Sequence, residues 1–301
     1  MSSQYIDIKT ISDLHAFLDC AGPKHPLVSV INLKETQHRN QDEANIIYRL
    51  GFYAVYLKGL KGQMKYGKSH YDFDESTMVF TAPLQGVSAV REMQLDEGWG
   101  LFFHPDLLFK SELGRSIHHY NFFHYETSEA LHISEDEKTV LRQCIENIEK
   151  EYSSRIDKHS NQLIVNNIEL LLNYCMRFYD RQFYTRAKVS HDIVQKFEVL
   201  ILAYFSQDTL LESGLPDVGY FASRLHLSPK YLSDLLSKYT GKTTQEHIHL
   251  KIINKAKHLL SSTNKTISEI AYDLGFEYPS YFTKLFKSHT NKTPNAFRNL
   301  N

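Results

Sequence analysis

The chain has 301 residues, 42% hydrophobic and 23% charged. That is ordinary globular composition, enough for roughly two domains, and it excludes a wholly disordered protein. Mean hydropathy is −0.39, and no apolar run approaches the ~20 residues that span a bilayer, which excludes a membrane-crossing helix.

The net charge of −1 averages two unlike parts. Residues 217–301 hold 12 Lys+Arg and 6 Asp+Glu, a net of +6, whereas residues 1–216 hold 22 and 29, a net of −7. A basic C-terminal piece suited to a polyanion is joined to one that is not. Met1–Thr10 includes Asp7 and lacks a continuous apolar core, so no secretory signal is expected. Cys20, Cys144 and Cys175 are far apart, odd in number and form no CxxC. A reducing cytoplasm fits best, without a disulfide framework or a zinc–thiolate site.

In chain order, short apolar or alternating runs at Leu27–Leu33, Tyr53–Lys58, Met64–Tyr66, Met78–Ala82, Val87–Arg91 and Trp99–His104 predict strands, punctuated by glycines. Many short strands with Gly turns favour a sandwich or a jelly-roll barrel. The pattern changes at Ser134-x-x-Glu137, a capping box that opens a helix. Val140, Leu141, Cys144, Ile145 and Ile148 follow at helical spacing. A second helix is predicted from about Asn161 to Tyr184, with a broad apolar stripe that must bury against this chain or a second copy. Arg181–Ser190 is polar and basic and reads as a linker. Ile193, Val194, Phe197, Leu200, Ile201, Tyr204 and Phe205 then make the apolar face of another helix, and Glu212–Leu215 with Pro216 ends that element.

The last third contains an internal repeat. One copy begins at Val218 and the other at Ile267. With a shift of 49, Ala222 falls on Ala271, Leu225 on Leu274 and Leu227 on Phe276. After one inserted residue, Tyr231 falls on Tyr281, Leu232 on Phe282, Leu235 on Leu285, Leu236 on Phe286, and Thr240, Lys242 and Thr243 on Thr290, Lys292 and Thr293. Each copy predicts a short helix, a tight turn and a longer helix. Gly275 supplies the positive φ of the second turn, and His226 must adopt it with modest strain in the first. Ser228 is an N-cap and Pro229 a first helical residue; Thr266-x-x-Glu269 and Thr243-x-x-Glu246 are capping boxes. The helix from Thr243 to Leu260 is a rod of roughly 25 Å. Such a rod can hold two reading helices about one duplex turn apart.

The C-terminal hundred residues resemble the DNA-binding domain of AraC/XylS transcription regulators. The resemblance rests on Ile270-Ala271-Tyr272-Asp273-Leu274-Gly275-Phe276, Tyr281-Phe282-x-x-x-Phe286-Lys287 and Thr293-Pro294-x-x-x-Phe297-Arg298. In the first copy it rests on Ser228-Pro229-x-Tyr231-Leu232 and Tyr239-Thr240-Gly241-Lys242-Thr243. It implies two helix-turn-helix subdomains joined by a central helix. It places Lys230, Ser233 and Asp234, then Pro279, Ser280, Thr283 and Lys284, toward bases, and Lys242, Lys287, Lys292 and Arg298 toward phosphate. Asp234 departs from the family pattern: an acid can accept from cytosine N4 but repels phosphate.

The expected fold is therefore α+β. Residues 1–133 are expected as a cupin-like or jelly-roll-like sensing barrel, 134–189 as a helical linker and dimerisation region, and 190–301 as the double helix-turn-helix domain. The expected function is sequence-specific regulation of transcription in the cytoplasm. The partners would be promoter DNA, a small-molecule effector, RNA polymerase and a second copy in a homodimer, with no membrane, metal or cofactor. Most barrel aromatics are expected in the core; Tyr53, Tyr56, Tyr66, Trp99 and Phe103 are the candidates to line an effector pocket. The alternative is a metal-dependent cupin enzyme with a helical assembly tail, its ligands drawn from His118, His119 and His124. No His-x-His occurs in the strand region, and no GxSxG, P-loop, HExxH or dinucleotide fingerprint appears.

Overall fold

The computed structural model describes residues 4–33, 46–59, 64–66, 69–71, 76–88, 97–154, 157–185, 187–206, 210 and 214–299. The chain divides into two compact units, Met1–Tyr184 and Thr185–Asn301. Among the described residues the first mixes sheet and helix and the second is all helical. No described helix is long and apolar enough to cross a membrane.

The strands of the first unit are β1 (Gln4–Ile8), β2 (Val28–Asn32), β3 (Ile46–Leu50), β4 (Tyr53–Gly59), β5 (Met64–Tyr66), β6 (Ser69–Tyr71), β7 (Ser76–Thr81), β8 (Gly86–Ser88), β9 (Glu97–Phe103) and β10 (Leu131–Ile133). They form a five-stranded sheet in the order β10-β7-β4-β9-β2, a three-stranded sheet β1-β3-β8 and the pair β5-β6. Each strand run predicted from the pattern contains a strand, although residues 89–91 of the Val87–Arg91 run lie outside the described residues. β1, β3, β6 and β10 escaped the pattern. β10 is three residues, all buried, and shows no alternation. β1 and β3 pair in parallel, so their partnership leaves no hairpin signal.

Register fixes the two faces of the central sheet, because side chains alternate along each strand. Tyr53, Val55 and Leu57 of β4 stand opposite Phe103, Leu101 and Trp99 of β9. Val55 and Leu57 also stand opposite Phe80 and Met78 of β7. Helices cover this face. Cys175 Sγ lies 3.9 Å from Met78 Sδ, the Phe80 ring lies 6.1 Å from that of Tyr179, and Tyr152 Oη accepts a bond from Val30 N at the exposed edge of β2 (3.3 Å). The opposite face carries Ala54 and Phe102, which join Ile8, Ile11, Leu14, Leu18, Ile31, Leu50 and Phe52 in one buried cluster. That cluster seats α1 (Ile11–Phe17), opened by a Thr10/Asp13 capping box.

The remaining helices of this unit are α2 (Glu112–Ser116), α3 (Glu135–Ser153) and α4 (Ser160–Thr185). The Ser134/Glu137 box opens α3, with bonds of 3.0 and 3.3 Å. The α4 stripe buries Ile164, Ile168, Leu171, Leu172, Cys175, Phe178 and Tyr179, while Leu163 stays exposed.

The expected linker at Arg181–Ser190 does contain the boundary between the two units, at Tyr184/Thr185, but helix runs on both sides of that boundary. α4 continues to Thr185 and the next helix begins at Ala187. The polar residues that suggested a linker are engaged inside the unit. Arg181 forks onto Glu137 at 3.0 and 2.7 Å and donates to His132 O at 2.6 Å. Gln182 is 2% exposed and bridges His132 N and Ala130 O. Buried donors with matched acceptors cost little to bury. Composition alone cannot distinguish such a residue from a solvated one.

The second unit contains α5 (Ala187–Ser206), α6 (Val218–Leu225), α7 (Pro229–Thr240), α8 (Thr244–Ser262), α9 (Ile267–Asp273), α10 (Pro279–Thr290) and α11 (Pro294–Arg298). The element expected to end at Glu212–Leu215 is described as helix through Ser206, and Leu210 is helical again; residues 207–209 and 211–213 lie outside the described residues. α5 buries Val194, Phe197, Ile201, Tyr204 and Phe205. Its Phe197 meets Phe221 edge-on at 5.4 Å. α8 lies between the two repeats and buries Ile248, Ile252, Ile253, Ala256 and Leu260. Fully buried Phe282 and Phe286 contribute about 2–3 kcal/mol each by leaving water.

Candidate nucleic-acid interface

Each repeat folds as a helix-turn-helix, α6–α7 and α9–α10. Ala222 and Ala271 are 1% and 0% exposed at the crossings. The turns close alike: Leu227 N donates to Ala222 O and Phe276 N to Ala271 O, both at 3.0 Å. The turn residue is left-handed in both, His226 at φ 56° and Gly275 at φ 84°, as the repeat predicts. Ser228 Oγ accepts from Tyr231 N (3.2 Å) and caps α7. Tyr278, its counterpart before α10, makes no side-chain cap bond. The longer helices end alike too. Thr240 Oγ1 donates to Leu236 O and accepts from Lys242 N, and Thr290 Oγ1 does the same with Phe286 O and Lys292 N. The 19 residues of α8 make a rod of about 28 Å.

The residues expected to meet DNA separate into two groups. Lys230, Lys242, Ser280, Lys284, Lys287 and Lys292 are exposed, and Pro279 and Thr283 are half-buried on the helix carrying Ser280 and Lys284. Three others are placed differently. Ser233 is half-buried and its hydroxyl donates to Thr244 Oγ1 at 3.1 Å, so it ties α7 to the start of α8. Asp234 is half-buried. Arg298, expected at a phosphate, donates to Leu260 O (3.3 Å) and Lys265 O (2.7 Å), pinning α11 to the end of α8.

The sequence reading missed three tyrosines. Tyr272, Tyr278 and Tyr281 are 55%, 59% and 64% exposed, and the rings of Tyr278 and Tyr281 meet edge-on at 5.8 Å. The repeat aligns Tyr281 with Tyr231, which is buried, so the alignment disguised it as a core residue. The usable signal was three tyrosines within ten residues around one short helix pair.

Two acids in this unit are structural. Glu246 accepts from Thr243 N at 2.7 Å and Glu269 from Thr266 N at 2.7 Å. Those backbone bonds, with help from the threonine hydroxyls, hold both carboxyls below the ordinary glutamate value. Groups with depressed folded pKa values stabilise above their unfolded pKa, about 4.3, and lose that contribution as pH falls through the folded value. Thermal melts of the full chain should therefore fall on acidification below about pH 4.3. The double variant Glu246→Gln/Glu269→Gln, which keeps an acceptor at each box, should fall less steeply; parallel curves would remove both boxes from the acid response.

In the first unit the five expected pocket aromatics do not share a face. Phe103 is fully buried and stacks on Tyr53 at 5.1 Å, and Tyr53 also packs edge-on to Phe123 at 5.0 Å. Both are packing residues on the helix-covered face, where Trp99 is half-buried. Tyr56 is on the opposite face, edge-on to Phe102 at 5.5 Å. The Tyr66 side chain lies outside the described residues. His118, His119 and His124 are exposed on 3-10 turns. Among the described residues no three His, Cys, Asp or Glu side chains converge as a metal site, so the metal-enzyme alternative lacks its expected ligand set there.

Two helix-turn-helix units on one central helix define a double helix-turn-helix module. Residues 221–300 match the HTH_18 family model, a helix-turn-helix domain. The uncharacterized HTH-type transcriptional regulator YfiF of Bacillus subtilis is 31% identical over 163 residues, 54% of this chain and 48% of that protein. The bifunctional transcriptional activator/DNA repair enzyme AdaA of the same bacterium is 32% identical over 148 residues, 49% of this chain and 67% of AdaA. The C-terminal domain of the two-component response regulator yesN from Fusobacterium nucleatum is 28% identical, with a TM-score of 0.32 over 36% of this chain and 98% of that one. The chain spans about half the length of YfiF. With the repeat and its turns in agreement with the matched domain and with AdaA, the chain belongs to the AraC/XylS family of transcription regulators.

Proposed function

We propose that the protein is a sequence-specific DNA-binding transcription regulator, with α7 and α10 entering successive major grooves on one face of the duplex. The observation that carries this reading is the repeated helix-turn-helix with matching left-handed turns, in a segment, residues 217–301, with 12 basic and 6 acidic residues. Ser280, Thr283 and Lys284 are assigned to base edges, with Pro279 packed beside them. Lys230, Lys242, Lys287 and Lys292 are assigned to phosphates. Tyr272, Tyr278 and Tyr281 join the interface as hydroxyl donors on apolar rings.

The first unit is assigned the sensing role, as a small cupin-like barrel built around its two larger sheets and followed by α3 and α4. A small-molecule effector is its proposed ligand. The exposed Leu163, Leu170 and Met176 of α4 suit contact with a second copy, and a homodimer would bring four reading helices to paired half-sites. RNA polymerase is the proposed further partner, and the cytoplasm the proposed compartment.

Binding of the full chain to fragments from its own upstream region, measured across a salt series, tests the reading. Each protomer with four lysine–phosphate contacts should give a slope of about −3.6 in log K against log salt. A flat salt response, or equal affinity for every fragment, overturns it.

A further inference from the structure

The α1-facing side of the five-stranded sheet changes character along β4. Near Ala54 it is apolar and closed by α1. Two and four residues on come Tyr56 and Lys58. Lys58 stands opposite Thr77 of β7 and Gly98 of β9, and Thr77 stands opposite His132 of β10. A single row across four strands therefore reads Gly98, Lys58, Thr77, His132, with Tyr56 and Gly100 in the row beside it.

Three donors in these rows have no matching acceptor among the described residues. Thr77 is 3% exposed and its Oγ1 has no hydrogen-bond partner among the described residues. Lys58 is half-buried, its Nζ 5.7 Å from the Tyr56 ring centroid, and no described carboxylate pairs with it. Tyr56 packs against the buried cluster, with no described acceptor for its hydroxyl. Burial alone lowers the Lys58 ammonium and raises the Tyr56 phenol from their ordinary values. A buried hydroxyl left unmatched is costly, and a half-buried cation without a counter-charge adds to that cost. Such groups recur where a ligand completes them.

We infer that the Tyr56–Lys58–Thr77 row binds the carboxylate of a small organic acid, a proposal that rests on the sensing role assigned to this unit. The ammonium can only donate and both hydroxyls can donate beside it, which matches an acceptor-only group. One cation balances one negative charge, which favours a carboxylate over a doubly charged phosphate. The neighbouring wall is apolar: Leu33 carbons lie 3.5 Å from where a Cβ on Gly98 or Gly100 would stand. The acid's body is therefore apolar, lying toward Leu33 and the Tyr56 ring.

The test uses the full-length protein and sodium acetate, butyrate, octanoate and benzoate, each against its primary amide at constant ionic strength. Melting temperature and calorimetric titration are the readouts. At least one carboxylate should raise the melting temperature while its amide does not. Lys58→Met should weaken that carboxylate by about tenfold or more, and Thr77→Val should weaken it severalfold. Without ligand Lys58→Met should melt no lower than wild type, since it removes an unmatched cation; should it fail to fold, Thr77→Val carries the same comparison. No stabilisation by any of the four acids, or stabilisation unchanged in both variants, overturns the proposal. DNA binding is measured in parallel. Its retention with no carboxylate effect sinks the ligand site alone, whereas its absence in wild type sinks the regulatory reading.

Discussion

Gly275→Ala is expected to destabilise the second unit by about 2–4 kcal/mol, the sum of left-handed strain and main-chain crowding. Gly275 sits at φ 84°, and a Cβ there would lie 2.9 Å from Gly214 C, 3.0 Å from Leu210 O and 3.0 Å from Leu215 N. All three are backbone atoms, so no rotamer change relieves the contact. Gly214 is itself held: its N donates to Leu210 O (3.1 Å) and its O accepts from Tyr204 Oη (2.9 Å). The alanine must displace either the Leu210, Gly214 and Leu215 backbone or the α9–α10 crossing.

His226 is the internal control. It occupies the same turn position in the first repeat with φ 56°, yet it carries a Cβ, so its local packing tolerates one and the conformational cost alone remains. His226→Gly should therefore stabilise the unit, by about 0.5–1 kcal/mol. Urea unfolding followed by circular dichroism measures both. Shifts of equal size, or a neutral Gly275→Ala, would show that the two turns are not the strained and crowded pair described above.

What was legible in the sequence was what is local. The boxes at Ser134/Glu137, Thr243/Glu246 and Thr266/Glu269 each join residues three apart, so spacing alone located them. The left-handed turns were legible for the same reason, one residue deciding each. The invisible features depend on distant partners. Nothing around Ile46 announces a parallel neighbour at Gln4. Arg181 and Gln182 read as solvated until Glu137 and His132 arrive beside them. Ser233 read as a base contact until α8 delivered Thr244 against it. The Lys58–Thr77 row was hidden likewise, since register across β4, β7 and β10 assembles it.

That hidden bond at Ser233 makes the two reading helices unequal. In α10 the exposed Ser280 and Lys284 and the half-buried Thr283 have no counterpart to the Ser233–Thr244 tether among the described residues. In α7 the tether engages Ser233, and on the proposed docking Asp234 would set a negative charge near phosphate. Base readout is therefore expected to come mainly from α10, with α7 positioning the module through Lys230. Ser280→Ala/Thr283→Ala/Lys284→Ala removes two or three contacts of about 1–3 kcal/mol each, so specific affinity should drop by about 100-fold or more while non-specific affinity changes far less. Lys230→Ala/Asp234→Ala should cost at most about tenfold, spread evenly over sequences, because losing Asp234 offsets part of the lost lysine contact. Competition binding with matched and scrambled duplexes separates the two outcomes. Equal losses would mean that α7 reads bases as fully as α10. A uniform loss from the α10 triple would place Lys284 on the backbone.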